Sequence, residues 1–69
     1  MTNEVMIHNA NQIAAFFAAY PREEAVASVE DHLRKFWEPR MRRQLVEYVA
    51  GGGDGLHDLA IAATQRLAT

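Results

Sequence analysis

The sequence predicts an all-α fold of four short helices, over residues 3–19, 22–37, 39–50 and 55–67, in one small domain spanning 1–69. Three observations point there. Apolar residues recur three and four positions apart, the period of a helix buried along one face. Pro21, Pro39 and the run Gly51–Gly53 fall where that periodicity breaks. The connections left between breaks are about two to five residues long, which favours sequential helices packed as neighbours.

The first helix carries Met6, Ala10, Ile13, Phe17 and Tyr20 as one apolar stripe. Pro21 then opens the second helix at its first position, with Glu23 and Glu24 in the first turn, where the helix dipole favours carboxylates. Val26, Val29, Leu33 and either Phe36 or Trp37 form its apolar face. Pro39 ends that helix, because the residue before a proline avoids helical angles, and starts the third, whose stripe is Met41, Leu45, Tyr48 and Val49. The glycine run stops it, with one glycine as a left-handed cap. Asp54 is the expected N-cap of the fourth helix, which presents Leu56, Leu59, Ala60, Ala63 and Leu67 on one side.

Composition narrows the function classes. Hydrophobic residues are 49% and charged residues 23% of 69, an ordinary globular balance. The sequence has no cysteine, which removes disulfide scaffolds, zinc fingers and thiol catalysis. A net charge of −2 argues against a bulk nucleic-acid coat. The longest uninterrupted apolar stretch is Ile13–Tyr20, too short to cross a bilayer. No positive N-terminal region precedes an apolar core, so a cytoplasmic protein is expected. A chain of this mass buries roughly 60% of its unfolded surface on folding. Without a disulfide or a metal staple, a partner or an oligomer is the natural further source of stability.

No catalytic constellation emerges. His8, His32 and His57 fall on three different helices, none with a second ligand at the spacing of a helical metal site. His32, between Val29 and Phe36, reads as a half-buried, hydrogen-bonded histidine. The Gly51–Gly55 segment lacks the preceding strand and the lysine of a phosphate loop and reads as a helix–helix connector. The paired acids Glu23–Glu24 and Glu30–Asp31 read as dipole partners and solvated face.

Two features are overbuilt for a lone domain. Arg34, Lys35, Arg40, Arg42 and Arg43 are five of the seven basic residues, opposed within residues 34–43 only by Glu38. Arg34 and Lys35 suit the C-terminal end of a helix, but Arg40, Arg42 and Arg43 sit in the first turns of the next, where the dipole disfavours cations. Arg43 has Glu47 one turn on; Arg40 and Arg42 have no such partner, which leaves pairing with carboxylates on another subunit, a solvated charge run, or contact with nucleic acid. The second feature is the aromatic doublets Phe16–Phe17 and Phe36–Trp37. Neighbouring helical side chains diverge by about 100°, so one of each pair falls at the edge of a core this small. The doublets fit either a broad apolar face or a docking surface.

Two strings then carry a resemblance. Ala10-Asn11-Gln12-Ile13-Ala14-Ala15-Phe16-Phe17 resembles the opening helix of the delta subunit of soluble NAD-dependent formate dehydrogenases. His32-Leu33-Arg34-Lys35-Phe36-Trp37-Glu38-Pro39-Arg40-Met41-Arg42 is similar to that family's H-I-x-x-F-W-D-P-R-M-R, and the Gly-rich connector before Gly55-Leu56 looks like its third landmark. Glu38 replaces the usual aspartate with the charge kept, and Asp58 stands where the family pattern has proline.

The resemblance implies a non-catalytic accessory subunit of a cytoplasmic complex. In such complexes the alpha subunit holds a molybdenum or tungsten pterin cofactor and iron–sulfur clusters, while beta and gamma subunits carry electrons through FMN and clusters to NAD. The delta subunit would bind no cofactor or metal itself. It would dock on alpha and support assembly, cofactor insertion or stability. The expected contact residues are Phe36, Trp37, Arg40, Met41 and Arg42. The alternatives are a small regulatory or nucleic-acid-associated helical module using the same basic corner, and a free-standing homodimer.

Overall fold

A computed structural model describes all residues, Met1–Thr69. It contains α1 (Asn3–Phe17), α2 (Arg22–Phe36), α3 (Pro39–Ala50) and α4 (Asp58–Leu67), with no strand. The all-α prediction holds, and each boundary shift has a physical cause.

Thr2 caps α1 by accepting the Val5 N–H at 3.2 Å. The buried face is Met6, Ala10 and Ala14; Ile13 and Phe17 are half-buried at its margin, and Tyr20 lies outside. The helix ends at Phe17, two residues before the predicted end. Its last turn tightens through bonds from the Ala18 N–H to Ala15 and from the Tyr20 N–H to Phe17, and Pro21 biases Tyr20 away from helical angles. Pro21 is the N-cap of α2, not its first helical residue.

Helix α2 carries Glu23 and Glu24 in its first turn and Arg34 and Lys35 in its last, matching its dipole at both ends. Of its acids, Glu30 and Asp31 are partnered. Lys35 pairs with Asp31 at 3.1 Å, and Glu30 takes Arg34 and the α4 residue Arg66 on separate oxygens, both at 2.9 Å. Exposed pairs of this kind each contribute little; that on Arg66 matters more for tying α4 to α2.

The glycine run closes α3 as expected of a Schellman motif. The Gly53 N–H bonds to the Tyr48 carbonyl and the Gly52 N–H to that of Val49, both at 3.0 Å. Gly52 occupies the position with φ +126°, which disfavours any other residue.

Helix α4 starts at Asp58, three residues later than predicted, and its N-cap is His57 rather than Asp54. The Nδ1 atom of His57 accepts the Leu59 N–H at 3.0 Å. Asn11 of α1 holds the connector open: its amide donates to the Gly55 carbonyl at 2.9 Å and its Oδ1 accepts the His57 N–H at 2.7 Å. Tyr48 donates its hydroxyl to the Asp54 carbonyl at 2.6 Å. These bonds commit residues 54–57 to a non-helical path.

Asp58 is therefore the first helical residue, where proline is favoured because its missing N–H costs nothing. His57 already has φ −60° and ψ 144°, angles allowed before proline. Asp58→Pro is expected to leave the fold intact and raise stability by about 0.4–1 kcal/mol, despite losing the exposed Arg22–Asp58 pair. A urea titration checks this; a loss above about 1 kcal/mol would contradict the assigned start of α4.

The core joins Met6 from α1, Val29 and Leu33 from α2, Leu45 from α3, and Leu59, Ala60 and Ala63 from α4. Helix α4 packs against all three others, and α2 packs against both α1 and α4. Thr64 is the buried polar residue, satisfied by donating its hydroxyl to the Ala60 carbonyl at 2.7 Å. No buried side-chain nitrogen or oxygen lacks a partner. No helix is long and apolar enough to cross a membrane.

Candidate functional site

The break between α2 and α3 builds the site. Phe36 is the last helical residue of α2; Trp37 is extended, with φ −92° and ψ 133°, and Pro39 restarts the chain as α3. The Trp37 N–H still closes on the Leu33 carbonyl at 3.1 Å, but the turn leaves the carbonyls of α2 from Arg34 onward without intrahelical donors. Arg42, one turn into α3, reaches back to them. Its Nη1 donates to the Arg34 carbonyl at 3.0 Å and also lies against those of Trp37 and Leu33. A cation here meets the negative end of the α2 dipole.

The structure separates the five residues expected to act together. Trp37 is 6% exposed and belongs to the core, contrary to its expected place in a docking surface. Its extended backbone takes the side chain off the helical phase of α2, which is why periodicity left Phe36 and Trp37 undecided. Arg42 also departs from expectation, because its Nη1 is engaged with carbonyls of its own chain. Met41 is half-buried against the core. Phe36 and Arg40 remain outward: Phe36 is 71% exposed, and Arg40 is exposed without an ion pair.

Arg43 is likewise exposed, and the expected pairing with Glu47 is absent. Arg22, Arg34, Lys35 and Arg66 all have carboxylate partners. Arg40, Arg42 and Arg43 thus have no carboxylate partner, and of these only Arg40 and Arg43 also lack a hydrogen bond. Both lie at the positive end of α3, whose first turn has no acidic residue and whose N-cap, Glu38, makes no capping bond.

Phe36 also borders a groove between α1 and α2 that was not singled out among the expected contact residues. Two adjoining hollows of about 320 and 370 Å³ share Phe17 and His32. Phe16, 73% exposed, stands at one end and Phe36 at the other. The Phe16 and Phe17 rings meet edge to face at 5.0 Å, and the His32 ring lies 4.7 Å from Phe36. His32 is half-buried as expected, but its ring packs at a 42° tilt against Phe36 and makes no side-chain hydrogen bond. The sequence signal for this groove is the pair of aromatic doublets: each sends one ring inward and leaves the other exposed.

Elsewhere the chemistry is structural. His8 is exposed on α1 and His57 caps α4. No group of three or more histidine, aspartate or glutamate side chains converges closely enough to hold a metal ion.

Fold and site together define a small all-helical subunit-like domain whose distinctive surface is an aromatic and arginine corner. The chain belongs to the family described as NADH-dependant formate dehydrogenase delta subunit FdsD, which matches residues 6–64 and so spans nearly all four helices. No curated protein and no solved structure matches it.

Proposed function

We propose that this chain is a non-catalytic accessory subunit of a cytoplasmic formate dehydrogenase complex and docks on the catalytic alpha subunit through the α2–α3 corner. The observation that carries the reading is the corner itself: Phe36 exposed at the end of α2, with Arg40 and Arg43 unpaired on the first turns of α3. A ring held in water contributes buried area only when a partner covers it. An unpaired guanidinium at a helix N-terminus gains most from a carboxylate supplied by another chain.

Within this reading Phe36 and Arg40 make the contact, while Trp37, Met41 and Arg42 hold the corner that presents them. The molybdenum or tungsten pterin, the iron–sulfur clusters, FMN and NAD belong to other subunits, with beta and gamma in the same complex. Docking would support assembly, cofactor insertion or stability of alpha. The cysteine-free sequence supports this division, since it offers no thiolate for a cluster.

Capture of the tagged chain from its host, with partner identification and metal analysis, tests the reading. Recovery of the large iron–sulfur subunit of formate dehydrogenase is expected, in stoichiometric yield. Recovery of the chain alone, or with nucleic acid in a form that dissociates steeply with salt, would overturn it.

A further inference from the structure

Resting on that docking reading, we infer that the groove between α1 and α2 is the main part of the footprint and receives an amphipathic, acidic helix of the catalytic subunit. Its apolar side lies on Phe16, Phe17 and Phe36, and its carboxylates reach Arg40 and Arg43. The groove is walled by two helices, and the domain has no sheet edge, so a third helix is the element that fits between them.

Charge selects the occupant. The wall is neutral where Lys35 and Asp31 pair at 3.1 Å, and the arginines without a carboxylate, Arg40, Arg42 and Arg43, begin four residues beyond Phe36 in the chain. A second copy of this chain does not match it. Isologous pairing of two grooves would present only this same wall, whose one carboxylate, Asp31, is already paired with Lys35. Two chains of net charge −2 would also gain nothing from long-range attraction.

The test places a photoreactive benzoylphenylalanine at Phe16, Phe36 or, as a control in the α2–α4 groove, Gln65, in this chain co-expressed with the catalytic subunit. Crosslinks from positions 16 and 36, but not 65, to one acidic amphipathic segment of that subunit are expected. In the same complex Phe16→Glu is expected to weaken association at least about tenfold with an unchanged melting curve. Crosslinks only from position 65, or from 36 without 16, would overturn the groove assignment while docking itself stands. Crosslinks between copies of this chain would overturn the occupant. A complex that fails to form with the unlabelled chain would remove the docking reading and the groove with it.

Discussion

Trp37→Ala is expected to cost about 3–5 kcal/mol, the range for emptying a buried aromatic site. A domain of 69 residues has total stability on the order of 3–10 kcal/mol. The variant therefore loses a large share of it, and its melting midpoint falls by roughly 12–40 °C. The cause is position: Trp37 is 6% exposed among the core residues, at the point where α2 stops and the chain turns toward α3. Loss of partner binding in this variant would report loss of fold. Thermal melting followed by circular dichroism checks it, and a cost below about 1 kcal/mol would show that the indole is not the keystone of the corner.

Arg42→Ala is the second large effect. It removes a charged donor from the carbonyl end of α2, and hydrogen bonds to charged groups contribute about 1.5–3 kcal/mol. A loss of about 2 kcal/mol is expected. Arg42→Lys recovers part of it, because an ammonium keeps the charge at the negative end of α2 but places its donors less rigidly. Arg40→Ala, by contrast, stays within about 0.5 kcal/mol of the parent, since that side chain touches nothing that folding needs. Denaturant titrations of the three variants separate these outcomes. Equal costs at positions 40 and 42 would refute the division between a presented and a structural arginine.

That division marks where sequence reasoning reached its limit. Helical phase is local, so Met6 and Ala10, Val29 and Leu33, and the stops at Pro39 and Gly51–Gly53 were legible from spacing alone. The doublets were half legible: one ring of each had to lie outside, and Phe16 and Phe36 do. Which member of Phe36–Trp37 turned inward depended on Trp37 leaving the helix, and periodicity has no power over an extended residue. Arg42 was misjudged for a related reason. Its partners are carbonyls exposed by the end of the preceding helix, and the carboxylates sought in the sequence were the wrong acceptors. The start of α4 depends on Asn11, more than forty residues away in the chain, a contact no local pattern carries.

Opposite signs on one residue distinguish a docking arginine from a folding one. Arg40→Glu places a carboxylate in the first turn of α3, where the dipole favours it by about 0.3–1 kcal/mol. The isolated chain should become slightly more stable, while its affinity for a carboxylate-bearing partner falls. Phe36→Ala removes a ring that is 71% exposed, at little cost to the fold. The decisive measurement is the affinity of the Phe36→Ala/Arg40→Glu chain for the catalytic subunit of formate dehydrogenase, with its melting midpoint taken on the same sample. Docking through the α2–α3 corner predicts binding at least about a hundredfold weaker, with the midpoint unchanged or raised. Parental affinity, or a loss of binding that tracks a loss of fold, would contradict it.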